Sequence, residues 1–296
     1  MRIQWHYQPL SEPCSDGLKK INEIHVGHTS AALGGPPPLP QKPRPDLPEG
    51  ISVWQQKIGG VPCLCVSGKN SKPCAILYIH GGGFAYDSAE EGLHLLVHTA
   101  VKCGFDGFSV DYTLMPKGLY PTQLEECAKV YYALHEQGYE KIFISGFSAG
   151  AQLSLALGFY LRKHNLPAPI GIAAFSPPLD FTGFVKPEFI DYLSKDNSLG
   201  RIYANGANLY DPCLSPLFGD FNGYPPLLIM VGTGESLVTS CKNLVEKLQR
   251  EKTDCDVTIS LWEGMMHGFV LDSCFYPEAF KALEYAGDFI VERLSS

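Results

Sequence analysis

The sequence predicts an α/β protein: a mostly parallel, doubly wound sheet of about eight strands carrying a small helical cap. Three observations predict it. Short β-prone runs alternate with longer helix-forming stretches from residue 75 onward, the pattern of strand–helix–strand crossovers. Glycine clusters at 81–83 and 146–150 fall where strand-like runs end, and open α/β sheets build their sites at such ends. The length of 296 residues, 45% of them hydrophobic, suits one large core with a modest insertion.

The elements follow in chain order. Residues 1–50 end in the tract 34–45, Gly-Gly-Pro-Pro-Pro-Leu-Pro-Gln-Lys-Pro-Arg-Pro. Its fixed φ angles and few donors predict an extended connection with a small helix before it. The main domain, 51–296, opens with a hairpin of strands 51–58 and 61–66 joined by Gly59-Gly60. Strand 75–80, helix 89–103, strand 107–112, helix 121–138, strand 141–145 and helix 149–164 come next. Strand 170–176, strand 226–231, helix 237–251, strand 256–262 and helix 277–294 complete the sheet and its cover. One stretch, Asp180 to Tyr210, breaks the alternation and carries Phe181, Phe184, Phe189, Tyr192 and Leu193. Long insertions of this kind act as lids, so 181–210 is expected to be a cap insertion.

Gly146-Phe147-Ser148-Ala149-Gly150 carries the chemistry. Between a strand and a helix, this spacing forces a serine onto a strained turn that exposes its hydroxyl, and a Cβ on either glycine would crowd the turn. His80-Gly81-Gly82-Gly83-Phe84 follows the run 75–79 directly. Such a glycine loop can turn its amides toward one point and cradle an oxygen that gains negative charge when a serine attacks a carbonyl. A phosphate cradle is disfavoured, because no G-x-x-x-x-G-K-[ST] and no helix-opening G-x-G-x-x-G is present.

An attacking serine needs a base, and the base needs an orienting carboxylate. Of nine histidines only His267 lies well beyond the serine; the others precede it or fall in its own helix. Glu235 lands at the carboxyl end of the buried run 226–231, in reach of an imidazole. Its rivals are Asp211, Asp254, Asp256 and Asp272. A histidine base must start neutral, so activity should rise from mildly acid to neutral pH.

Other classes are excluded by composition. A net charge of −8 argues against nucleic acid. No apolar run is long enough to span a bilayer, and residues 1–6 are followed by no apolar signal-peptide core, so a soluble, cytoplasmic protein is expected. Ten cysteines scattered through a large chain are expected to be free thiols. Cys63 and Cys65 lack a partner pair, and His94 with His98 lacks the zincin glutamate, so no metal and no cofactor is expected.

From about Cys74 to Leu294 the chain resembles the hormone-sensitive-lipase family of α/β-hydrolases, which includes many bacterial carboxylesterases. The matching residues are His80 to Phe84, Val110-Asp111-Tyr112-Thr113-Leu114-Met115-Pro116, Tyr120-Pro121, Gly146 to Gly150, Asp211-Pro212 with Ser215-Pro216, Glu235 and His267. The resemblance implies Ser148 as nucleophile, His267 as base, Glu235 as acid, and the amides of Gly82, Gly83 and Ala149 as the oxyanion hole, with residues 1–50 as an N-terminal cap segment that joins 181–210 over Ser148. Phe147, Glu235 and Thr239 stand where Asp is commoner, and Ala151 where Gly is usual. The family often pairs through its last strand and helix, so residues 256–262 and 277–294 could form a homodimer.

Phe84, Tyr86, Tyr112 and Phe181 suggest an apolar acyl pocket of limited size, and hence short- to medium-chain esters as the small-molecule substrate. An acetyl-sugar deacetylase, an amidase or a thioesterase would use the same machinery. A reading from another class is a receptor without turnover, as in the gibberellin receptors that resemble this family and have lost the histidine. The presence of His267 beside Ser148 disfavours it.

Overall fold

The computed structural model describes residues 1–6, 47–67, 73–183, 198–272 and 277–294. The Pro-rich tract 34–45 lies outside the described residues, as do Phe184, Phe189, Tyr192 and Leu193 of the expected cap. In chain order the strands are β1 (Arg2–His6), β2 (Val53–Ile58), β3 (Val61–Val66), β4 (Cys74–Ile79), β5 (Asp106–Val110), β6 (Lys141–Phe147), β7 (Gly171–Phe175), β8 (Leu227–Gly232) and β9 (Val257–Trp262). The helices are α1 (Leu93–Cys103), α2 (Thr122–Glu136), α3 (Ala149–Lys163), α4 (Ser198–Ala204), α5 (Val238–Glu251) and α6 (Pro277–Glu292).

All nine strands form one sheet in the order β1-β9-β8-β7-β6-β4-β5-β3-β2. Only the β2–β3 and β3–β5 pairings are antiparallel. Strands β4, β7, β8 and β9 are buried at every position, because helices cover both faces and leave no polar side to alternate. Ala75, Leu77 and Ile79 of β4 enter a core shared with α2, α3 and α5. Cys74, Ile76 and Tyr78 point the other way, into a core shared with α1 and α6. Each fully buried Leu or Ile of this kind stabilises the fold by about 1.5–3 kcal/mol.

Two expectations are corrected here. Residues 1–6 belong neither to a connection nor to a cap: Arg2–His6 form β1, parallel to β9 in the register Arg2↔Thr258 to His6↔Trp262. Strand 256–262 is therefore not an edge open to a second copy. The His6 ring stacks on Trp262 at 4.1 Å and 5°, and Arg293 pairs with Asp256 at 2.7 Å. Helix 89–103 begins only at Leu93, because Gly92 takes a left-handed φ of 69°. A Cβ at Gly92 would run into the Tyr78 hydroxyl, so the backbone skirts that ring before the helix starts. No helix among the described residues is long and apolar enough to cross a membrane.

Candidate active site

The strand ends of β4, β6, β7, β8 and β9 meet around Ser148. This residue stands between β6 and α3 at φ 52° and ψ −117°, a region costing about 1–3 kcal/mol that persists only when its surroundings enforce it. The enforcement is visible. Ser148 N–H donates to Phe175 O at 2.9 Å, at the end of β7. A Cβ at Gly146 would strike the Gly150 carbonyl, and one at Gly150 would strike the carbonyls of Ile79 and His80. Only glycines let β4, β6 and α3 approach this closely.

The loops after β8 and β9 are stitched together. Thr233 N–H donates to Trp262 O at 2.9 Å, Gly234 N–H to Met265 O at 3.0 Å, and Gly264 N–H to Thr233 Oγ1 at 2.8 Å. Glu235 and His267 are thereby held side by side, both buried. His267 Nδ1 lies 2.7 Å from Glu235 Oε2, and His267 Nε2 lies 2.9 Å from Ser148 Oγ. With Nδ1 carrying the proton, Nε2 is left as the acceptor facing the hydroxyl. The second carboxylate oxygen, Glu235 Oε1, accepts from Ser176 Oγ at 2.8 Å and Gly232 N–H at 2.7 Å. A carboxylate that is 1% exposed is tolerable because its oxygens are occupied by donors. The Phe147 ring lies 4.9 Å from the imidazole, covering it from water.

The rival carboxylates are engaged elsewhere. Asp211 Oδ1 accepts from Cys213 N–H, Asp254 Oδ1 from Gly223 N–H, and Asp256 pairs with Arg293. The Asp272 side chain lies outside the described residues.

Facing the serine from the other side is the loop after β4. Gly82, Gly83 and Phe84 take successive positive φ angles of 87°, 59° and 64°, so their peptides curl into a tight turn. Gly82 O accepts from the amides of Ala85 and Tyr86, both at 3.0 Å. A Cβ at Gly82 would strike the Tyr86 carbonyl. Among the described residues no backbone carbonyl outside the helices and strands accepts from the amides of Gly82, Gly83 or Ala149. The Ala149 amide also opens the 15-residue helix α3, whose macrodipole favours negative charge at that end.

Three contacts escaped the sequence reading. Glu91 Oε2 accepts from Gly81 N–H at 2.8 Å. Ser176, at the end of β7, donates to Glu235. Tyr112, expected as a pocket wall, is instead buried under the glycine loop, its hydroxyl 3.0 Å from His80 O and 2.9 Å from Gly81 O. Its ring stacks on His80 at 4.1 Å, and burial pushes the His80 imidazole down to about 3, opposed by its bond to Gly81 O. Ser176 was within reach of the rule that site residues sit at strand carboxyl ends. Glu91 had no such signal.

Of the other expected pocket residues, Phe84 is buried, stacked on Tyr203 at 3.8 Å and edge-on to Phe181 at 6.1 Å. Tyr86 is half-buried, and burial followed by the nearby Asp87 pushes its hydroxyl up to about 12. Leu199, half-exposed on α4, reaches Gly83: a Cβ there would come within 3.1 Å of Leu199 Cδ1 and 3.5 Å of Tyr86 Cε2. Among the described residues Cys63, Cys65, Cys103, Cys127, Cys213, Cys241 and Cys255 are free, buried thiols and Cys74 is buried, with burial pushing the Cys63 thiol up to about 12. His98 faces Glu284 at 2.6 Å, and no group of three His, Cys, Asp or Glu among the described residues is placed to hold a metal ion.

A strained serine at a strand-to-helix turn, facing an imidazole, a buried carboxylate and a glycine cradle on a parallel sheet, defines an α/β-hydrolase site. A family profile described as the α/β hydrolase fold matches residues 76–271. An esterase of Acinetobacter venetianus is 33% identical over 251 residues, covering 81% of this chain and 82% of that one. An acetyl-hydrolase of Streptomyces hygroscopicus is 30% identical over 224 residues, covering 73% and 74%. The crystal structure of a hormone-sensitive lipase from a metagenome library superposes with a TM-score of 0.81 at 26% identity, covering 97% of this chain and 99% of that one. The chain belongs to the α/β-hydrolase family, within its hormone-sensitive-lipase group of serine ester hydrolases.

Proposed function

We propose that the protein is a carboxylesterase that hydrolyses short- to medium-chain acyl esters through Ser148, His267 and Glu235. The observation that carries the reading is the unbroken hydrogen-bonded line from Glu235 through His267 to Ser148, at 2.7 and 2.9 Å. His267 Nε2 takes the Ser148 proton as Oγ attacks the ester carbonyl, and Glu235 holds the imidazole and stabilises its cation. The amides of Gly82, Gly83 and Ala149 receive the oxyanion. The tetrahedral intermediate expels the alcohol, which leaves with the proton from His267. Water then repeats the sequence on the acyl-enzyme and frees the acid.

A short acyl preference is supported by Leu199 and Tyr86, which both reach Gly83 of the glycine loop. One relative is an acetyl-hydrolase, and one similar structure, 26% identical with a TM-score of 0.79, was soaked with p-nitrophenyl butyrate. The stretch 181–210 is proposed as a cap on the strength of that Leu199 contact. Kinetics over aryl, alkyl, sugar-acetyl, thioester and amide substrates tests the assignment. Peak kcat/KM on acyl groups of two to about six carbons is expected; a peak beyond about ten carbons, or on amides, overturns it. A fluorophosphonate probe should label Ser148, and absence of labelling rejects an activated nucleophile. A homodimer would have to form across β1 or α6 rather than along β9, and light scattering of the purified chain reads its mass.

A further inference from the structure

We infer that Tyr112 and Glu91 are positioning residues that aim the oxyanion-hole amide of Gly82. This rests on the esterase reading above and adds to it the device that sets the hole. Two consecutive peptides matter. In the His80–Gly81 peptide, the carbonyl accepts from Tyr112 Oη at 3.0 Å and the amide donates to Glu91 Oε2 at 2.8 Å, so both ends of one rigid plane are held. In the Gly81–Gly82 peptide, the carbonyl shares that single Tyr112 O–H proton at 2.9 Å and also accepts from His80 Nδ1 at 3.0 Å. A trans peptide points its C=O and N–H in opposite directions. Fixing Gly81 O therefore fixes the direction of Gly82 N–H, away from Tyr112.

The clamp adds to a hold the loop has on itself, the His80 Nδ1 bond to Gly81 O. Residues 81–83 are all glycine, with the widest backbone freedom available, and Gly82 and Gly83 sit at positive φ. An oxyanion donor works only when it is already oriented toward the developing charge, with no reorganisation left to do. Tyr112 is itself immobile: it is 2% exposed and its ring is stacked flat on His80. Glu91 lies just before α1, anchored by that helix to the sheet. The two side chains arrive from different elements, after β5 and before α1, and close on residues 80–81.

The test uses the purified full chain with p-nitrophenyl acetate and a trifluoromethyl ketone, which forms an oxyanion on Ser148 without turnover. Tyr112→Phe keeps the ring and removes only the hydroxyl. It should lower kcat about ten- to a hundredfold, less than outright loss of an oxyanion donor, with KM within about twofold. Ketone affinity should fall by a similar factor. Glu91→Ala should behave alike, while Glu91→Gln, whose amide oxygen still accepts, should recover most of the loss. The double variant Tyr112→Phe with Glu91→Ala should lose less than the product of the singles, because both act on one peptide. Should Tyr112→Phe unfold, the Glu91 pair decides the matter alone. A kcat within twofold of the parent in Tyr112→Phe and Glu91→Ala, or a kcat loss with unchanged ketone affinity, overturns the clamp and leaves the esterase reading standing. A parent chain with no ester turnover overturns both.

Discussion

Two loop systems meet at Ser148, and they are built on opposite principles. On the β8–β9 side the proposed chemistry sits in side chains: Glu235 and His267 would carry it, and the backbone bonds between the loops hold them side by side. On the β4 side the proposed chemistry sits in the backbone, in the amides of the glycine loop, and the side chains of Glu91 and Tyr112 bond to that loop. The first system tolerates backbone freedom poorly but names its agents by residue type. The second hides its agents, because every residue has an amide. The same contrast sets how each side should fail.

The largest effects belong to the side-chain system. Ser148→Ala or His267→Ala should each lower kcat about a millionfold, and the double variant should cost little more, since the group acts as a unit. Losses below tenfold for either would break the assignment. Glu235→Gln should cost about ten-thousandfold, because an amide at that place favours the wrong imidazole tautomer. A loss under about tenfold would transfer the acid role to another carboxylate, although Asp211, Asp254 and Asp256 are engaged elsewhere.

The backbone system should fail more mildly and through geometry. Gly82→Ala places a Cβ against the Tyr86 carbonyl at a φ of 87°, so the loop must shift and its amides lose their aim. A kcat loss of about a hundredfold or more is expected, with fluorophosphonate labelling of Ser148 slowed but present. A variant as active as its parent would show that the loop is not the oxyanion cradle. Ser176→Ala stands between the two systems. It deletes one of the donors to Glu235 but leaves the Gly232 amide in place, so about a tenfold loss in kcat is expected. If steady-state kinetics show a loss as large as that of Glu235→Gln, the carboxylate depends on Ser176 alone and the Gly232 bond contributes nothing.

The contrast also explains what could be read from the sequence. The eight strands from 51 onward, and the meeting of Ser148, Glu235 and His267 in the loops after them, were legible, because local periodicity and motif spacing report local structure. β1 was not: Arg-Ile-Gln-Trp-His is five residues without clear alternation, and its partner is β9, some 250 residues away. A strand that pairs in parallel across that distance leaves no local trace. Glu91 escaped for a similar reason, since its partner is a main-chain amide that no residue type announces. Tyr112 was seen but misplaced. An aromatic near a glycine loop reads equally as pocket wall or as prop, and only the direction of its hydroxyl decides between them.

The smallest effect separates the two sides by pH. His80 is fully buried under the glycine loop, and burial holds its imidazole down at about 3, against an ordinary value near 6.5. Above the ordinary value it is neutral in both folded and unfolded chains, so it adds no pH dependence. Below it, the unfolded chain takes up a proton that the native one refuses, and stability falls by up to about 1.4 kcal/mol per pH unit until the folded value is reached. Between pH 6.5 and 5 the urea midpoint should therefore drop, and the drop should be shallower in His80→Asn, where this proton uptake is gone. Comparing slopes rather than absolute midpoints removes the cost of the lost stack on Tyr112. If His80→Asn keeps the parent's full slope, the acid sensitivity originates outside the glycine loop, and the loop's burial of a neutral imidazole carries no measurable penalty.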